Sequence, residues 1–203
     1  MPVIAPGGVR IDLGPPGDAV RYVLSTVDPT LTTRLGNALT TVGTEVKALT
    51  STAVLRASLG DGWSMYGACE LMASVFAHNR IVLDDAYTSR ISHDGATAVA
   101  AVLNRDGLVV SSARLARWSG YGIVDQVETI PRFRRHGLAT VVMTMLSNWA
   151  VSNGVHTGLL SATEHGATLY RRLGWVAHGE IAGAVRSQPG HGCPFGQPLL
   201  PPA

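Results

Sequence analysis

The period of hydrophobic and polar positions changes several times along the chain, and each change marks an element. Val9, Ile11 and Leu13 alternate with polar neighbours, which predicts a short strand closed by the turn Gly14-Pro15-Pro16-Gly17. Asp18 is positioned to cap a helix over residues 19–27. Leu31, Leu35, Leu39, Val42, Val46 and Leu49 then recur at helical spacing, so residues 30–58 predict one or two amphipathic helices, although many threonines blur their ends. Gly60-Asp61-Gly62 makes a turn. Residues 63–74 read as an apolar strand or two short ones with Gly67 as a bulge, and residues 76–85 have no period and read as a connector.

From Gly95 the alternation sharpens into an antiparallel meander. Strands are predicted over residues 96–103, 108–118 and 121–130, joined by Arg105-Asp106-Gly107 and Ser119-Gly120. A helix opens near Leu138, a strand covers 155–162, a helix 164–173 and a returning strand 175–184. That last helix carries a full set of end signals: Thr163 as cap, Glu164 at its positive end, Arg171 and Arg172 at its negative end, Gly174 as terminator. Its Gly166, Leu169, Tyr170 and Leu173 share a face, so Tyr170 points inward. Residues 188–203 are rich in proline and glycine and read as an irregular tail.

Composition adds exclusions. With 203 residues and 46% hydrophobic positions the chain suits one domain or a domain with a sizeable extension. A net charge of +2 and 15% charged residues give no global field for nucleic acid or an acidic membrane, so any basic function is local. The two cysteines, Cys69 and Cys193, lie far apart, which argues against a disulfide scaffold or a zinc site and for a reducing, cytoplasmic home. The first ten residues lack the basic leader and apolar run of a secretory signal. Residues 136–163 hold no Asp, Glu, Lys or Arg, but Thr140, Thr144, Ser147, Asn148 and Asn153-Gly154 interrupt them short of a span.

The chemistry concentrates between Gly122 and Ala150. A strand ends at Pro131, a loop carries Arg132, Arg134, Arg135, His136 and Gly137, and a helix follows. This order brings unpaired backbone N–H groups, a positive helix end and guanidinium groups to one place, which suits a phosphate or pyrophosphate. Gly137 permits close approach to the backbone and the small Ala139 keeps the helix mouth open. The competing reading is a plain turn with three solvated arginines.

The succession Val127, Thr129, Pro131, Arg134-x-x-Gly137-x-Ala139 resembles the acetyl-CoA motif of the GCN5-related N-acetyltransferases, the GNAT superfamily. A second block agrees: Ala167, Leu169, Tyr170, Leu173, Gly174 and Trp175 resemble that family's later helix and following strand. The resemblance covers roughly residues 92–185. It implies an α/β fold with a mixed sheet, preceded by a mainly helical N-terminal extension. Residues 1–78 would then be the N-terminal part, 79–187 the acetyltransferase core and 188–203 the tail. It further implies acetyl transfer from acetyl-CoA to a primary amine by direct attack in a ternary complex.

The loop from Arg134 through Arg135, His136, Gly137, Leu138 and Ala139 to Thr140 would hold the pyrophosphate, mostly through backbone amides. The strand edge at Val127 and Thr129 would pair with the pantetheine arm, and an amide there would polarise the thioester carbonyl. By the same resemblance Tyr170 is the acid that reprotonates the thiolate, against a core tyrosine as the alternative. Glu128 is the carboxylate that activates the amine, with Asp125, Glu164 and His136 in reserve. Thr163 departs from the family, where asparagine often contacts the cofactor. Residues 30–58 are either a wall over the acceptor or plain packing, and Trp63 and Tyr66 either line the acceptor site or belong to the core; His78 and His93 read as surface groups. The acceptor, a small molecule or peptide, is left open, and a homodimer is compatible with the relatives' habit. No metal, nucleic acid or membrane is implied: nucleotide-binding glycine loops, H-E-x-x-H and G-x-S-x-G are all absent, and His191 and Cys193 make a poor metal pair. The alternative function is a non-catalytic CoA-binding regulatory module.

Overall fold

The computed structural model describes residues 2–14 and 20–187. The chain divides into two compact units, the first drawing on residues up to Leu71 and from Gly179 onward, the second running from Met72 to His178.

In the first unit β1 (Val3–Ala5), β2 (Gly8–Asp12) and β3 (Val20–Leu24) form an antiparallel meander. Helix α1 (Pro29–Ala38) crosses to β4 (Glu45–Leu49), which lies parallel to β3, and α2 (Thr52–Leu59) leads to the long strand β5 (Trp63–Val75). Strand β11 (Val176–Arg186) pairs antiparallel with β4, setting Ala184 opposite Val46 and Ala182 opposite Ala48. These four, with Leu24, Leu55, Leu59 and Trp63, make the unit's core. Where a helix over residues 19–27 is expected from the sequence, the structure has β3; Asp18, the expected cap, lies outside the described residues. Val20, Tyr22 and Val23 favour a pleated strand, and pairing with β2 on one side and β4 on the other overrides the local helix signal. The helical run over 30–58 likewise holds two helices with β4 between them.

In the second unit β6 (Tyr87–His93), β7 (Thr97–Asn104), β8 (Val109–Trp118) and β9 (Tyr121–Thr129) are neighbouring antiparallel strands. Helix α3 (Leu138–Ser152) crosses over to β10 (Thr157–Ala162), parallel to β9, and α4 (Glu164–Arg172) follows. Strand β6 is not among the expected elements because its sequence, YTSRISH, is mostly polar and shows no alternation of apolar positions. One face of the meander supplies Ala98, Ala100, Val102, Ala113, Leu115 and Val124 to a core shared with Leu160 and with Val142, Met145, Leu146 and Trp149 of α3. The small residues of β7 let the uncharged α3 settle closely on the sheet. Among the described residues no helix is long and apolar enough to cross a membrane. The expected tail, residues 188–203 with His191 and Cys193, lies outside the described residues.

Along the sequence the chain runs twice through the same order of elements: antiparallel strands, a helical crossover to a parallel strand, a side-chain-capped helix, and a long strand. The capped helices are α2, where Ser51 accepts from Val54 N–H, and α4, where Thr163 accepts from Gly166 N–H. The division between the units falls inside β5 and β11.

Register partners Gly122 and Gly158 on β9 and β10 lie under one aromatic ring. A Cβ on Gly122 would come within 2.7 Å of Phe76, and one on Gly158 would collide with Phe76 and Trp175. Phe76 is itself pinned by its N–H, which donates to the His156 carbonyl at 2.8 Å, and by edge contact with Trp175, 6.0 Å between centroids. Gly158→Ala should therefore lower stability in urea by about 1–3 kcal/mol through overpacking. A Phe76→Leu background should make the added methyl less costly, measured as a non-additive double mutant.

Candidate functional site

Strands β9 and β10 pair from Tyr121 and Thr157 only as far as Val124 and Leu160. Strand β9 continues to Thr129, so from Asp125 onward its edge on that side has no partner in β10, and a wedge opens between the two strands. Phe76 and the paired glycines hold the closed end; among the described residues no equivalent clamp ties the open end.

A bulge lies at the start of the wedge. Ser112 faces Glu128 and Arg114 faces Asp125, so two steps along β8 match three along β9. Gln126 takes up the difference at φ 51°, a left-handed backbone rare for a residue with a side chain. The extra residue changes which side chains share a face. Asp125 and Glu128 both stand with Ser112 and Arg114, while Val127 and Thr129 turn with Val124 toward the core. Thr129 is fixed there by a 2.9 Å hydrogen bond between its hydroxyl and that of Ser111.

Beyond β9 the chain makes a single 3-10 turn, Pro131–Phe133. Arg134 Nε donates to the Thr129 carbonyl at 3.1 Å, tying the loop back to the strand, and the Arg132 guanidinium lies 5.0 Å from the Phe133 ring centroid. Arg135 (φ 69°) and Gly137 (φ 75°) are both left-handed, which turns the backbone into the helix. No side chain caps α3. Its first hydrogen bond runs from Val141 N–H to Gly137 C=O at 3.2 Å, so the amides of Leu138, Ala139 and Thr140 project from the helix mouth. A Cβ on Gly137 would meet nothing within 4 Å, so the space before these amides is open. The arrangement suits a diphosphate: amides, a helix dipole and exposed arginines converge, and no acidic side chain stands in the first turn.

The profile described as "Acetyltransferase (GNAT) family" matches residues 69–175, more than half of the chain. The chain belongs to this family. It is similar in fold to a GCN5-related N-acetyltransferase from Kribbella flavida, at 15% identity over 94% of this chain and 90% of that one with a TM-score of 0.66. A GCN5-related N-acetyltransferase from Sphaerobacter thermophilus is similar at 15% identity over 92% and 79%, TM-score 0.65. A tandem GNAT protein from the clavulanic acid biosynthesis pathway is similar at 10% identity over 82% and 74%, TM-score 0.63. No curated protein matches the chain by sequence. The mixed α/β GNAT fold expected from the two motifs is the fold observed.

Within this GNAT chain the remaining expected site residues fall as follows. Tyr170 of α4 is 8% exposed and packs 6.1 Å from Trp175, in the core built on the face of Val124, Leu160 and Ala162. Its hydroxyl makes no hydrogen bond among the described residues and is not sealed off. Burial pushes its pKa up to about 12. Glu128 is exposed on the opposite face of β9 beside Asp125, whose pKa burial raises above the usual carboxylate value in spite of the lowering effect of Arg114. His136 Nδ1 lies 3.3 Å from the Tyr87 hydroxyl, and Leu138 is buried, so it offers only its amide.

Trp63 is core: its Nε1–H donates to the Gly36 carbonyl at 3.4 Å. The Tyr66 hydroxyl donates at 3.2 Å to Glu45, which also receives Arg21 Nε at 2.7 Å. Among the described residues no group of three His, Cys, Asp or Glu side chains could hold a metal ion.

The first unit's counterpart of α3 is α1, and its mouth is closed. Pro29 removes one donor and the Asp28 carboxylate accepts from Leu31 N–H at 2.9 Å. A second anion would meet a like charge there. Titration calorimetry should accordingly saturate at one CoA per chain. Gly137→Asp, which brings a carboxylate to the α3 mouth, should weaken CoA binding at least roughly tenfold, the equivalent of about 1.4 kcal/mol.

Proposed function

We infer that the chain transfers the acetyl group of acetyl-CoA to a primary amine by direct attack in a ternary complex. The observation that carries this reading is the wedge between β9 and β10 leading to the uncapped mouth of α3. The diphosphate would bind the amides of Leu138, Ala139 and Thr140, with Arg134, Arg135, His136 and Gly137 framing the loop. Unpaired main-chain groups from Asp125 to Thr129 would pair with the amides of the pantetheine arm, as an added strand does. Four residues of strand span about 13 Å at ~3.3 Å each, so an arm running from the helix mouth delivers its thioester toward the bulge. A backbone N–H near Val127 would then polarise the thioester carbonyl.

The two faces of β9 divide the proton chemistry. Glu128, with Asp125 beside it, would take a proton from the attacking amine on the exposed face. Tyr170 would donate to the departing sulfur from the core face. A phenol near 12 loses its proton uphill to an ordinary thiolate of about 8.5. It acts best as a neutral hydrogen-bond donor that steadies the developing charge, completing transfer as the cleft raises the thiolate's own basicity. The amine nitrogen gains the acetyl carbon, the carbon–sulfur bond breaks, and CoA leaves as the thiol. Neither cysteine of the chain takes part.

Thiol release from acetyl-CoA across a panel of amines tests the reading, and lack of release together with lack of CoA binding would end it. Tyr170→Phe should cut kcat roughly a hundredfold or more with CoA affinity unchanged. Glu128→Gln should lower kcat/KM for the amine with CoA affinity unchanged. The protonated phenol is the working form and its pKa is raised, so the rate should hold through pH 10, where an ordinary tyrosine is about half ionised. An alkaline fall centred below pH 10 that vanishes in Tyr170→Phe would contradict the raised pKa, and an unchanged kcat in Tyr170→Phe would contradict the donor role.

A further inference from the structure

The face of β7, β8 and β9 turned away from α3 carries an unusual pair. Arg114 on β8 and Asp125 on β9 are register partners, which sets their Cβ atoms about 5 Å apart on one surface. Opposite charges so placed ordinarily close on each other. Here no ion pair joins them, and neither side chain hydrogen-bonds to any described residue. Glu128, one pair further along, faces Ser112, and Arg90 of β6 shares the same row through Ala101 of β7. Around the charges the face is small or apolar: Ala101, Ser112 and Ala116 are short, while Val99, paired with Arg114, and Ile123, paired with Ala116, are partly exposed. A cation and an anion therefore stand among side chains that themselves carry no charge, and Asp125 is the first residue of β9 beyond its pairing with β10. Asp94, the other carboxylate within Arg114's field, is occupied by the amides of Ala96 and Thr97 at 2.9 and 2.7 Å.

We propose that Arg114 and Asp125 form the acceptor subsite, and that the acceptor is a compact zwitterion of the amino-acid class. Its carboxylate is held by Arg114, and its amine stands at Asp125 and Glu128, facing the thioester. This rests on the acetyl-transfer reading above and adds the chemical class of the acceptor. A guanidinium offers forked donors to a carboxylate. A carboxylate on β9 receives the proton that the ammonium group must lose before nitrogen can attack. The short spacing of the pair matches an ammonium and a carboxylate separated by one or two carbons; longer diamines and neutral alkylamines use only half of it. The raised pKa of Asp125 fits a carboxylate serving as proton acceptor.

The test compares the twenty standard L-amino acids with their carboxamides, alongside simple alkylamines and short peptides, by thiol release from acetyl-CoA. At least one free amino acid should exceed its own carboxamide in kcat/KM by roughly ten- to a hundredfold, the range of one charge-assisted hydrogen bond in a cleft. Arg114→Gln should erase that preference by raising KM for the acid while leaving the carboxamide's KM and the CoA affinity in place. Arg114→Lys should restore part of it.

Equal use of acid and carboxamide by the unmodified protein, or an equal loss for both in Arg114→Gln, would overturn the acceptor assignment while leaving acetyl transfer intact. Release with none of the amines, in a protein that fails to bind CoA, would remove the acetyl-transfer reading itself.

Discussion

The site depends on a ladder that stops. Parallel strands ordinarily satisfy each other's backbone groups along their shared length, and an exposed edge within a sheet is costly unless something pairs with it. Here β9 and β10 are held together at one end by the Phe76 ring over Gly122 and Gly158, and they part after Val124 and Leu160. The unmet groups of β9 are then available to an extended amide-bearing molecule. The bulge at Gln126 adds the second consequence, because it turns Asp125 and Glu128 to the same side. Clamp, wedge and bulge are thus one device, spread over residues that are distant in sequence.

The cradle for a diphosphate is a different kind of device, since it consists of interactions left unmade. An uncapped helix gives up about 1 kcal/mol of capping free energy, and Arg135, held in a left-handed conformation that favours glycine, adds strain. In α1 the same position in the order of elements carries the ordinary solution, a capping aspartate and a proline. The contrast within one chain separates a helix end arranged for folding alone from one kept open.

Much of the second unit was legible in the sequence because its signals are local. The caps and terminal charges of α4, the Arg105-Asp106-Gly107 turn and the Arg134 to Ala139 loop each carry their information within a few residues. Elements whose existence depends on distant partners were not legible. Strand β3 reads as a helix until β2 and β4 pair with it, β4 hides in a helical period, and the mostly polar β6 has no pattern of its own. At the site, the glycines 122 and 158 gain meaning only once Phe76 is above them. The facing of Arg114 and Asp125 depends on a one-residue slip between β8 and β9 that no periodicity reveals. Trp63 and Tyr66 illustrate the same limit, because an aromatic residue in a strand looks alike whether it fills a core or walls a pocket, and here hydrogen bonds to Gly36 and Glu45 occupy them.

The last strand has an implication for how the chain is made. Ala182 and Ala184 of β11 complete the core of the first unit by pairing with Ala48 and Val46, yet the ribosome delivers them after the whole of the second unit. Until then β4 waits with one side unpaired, a template for any passing strand. Pairing across so long a stretch of sequence is slow to form, so nascent copies stalled short of Gly179 are the ones most exposed to aggregation, and chaperone demand should concentrate in that interval of synthesis.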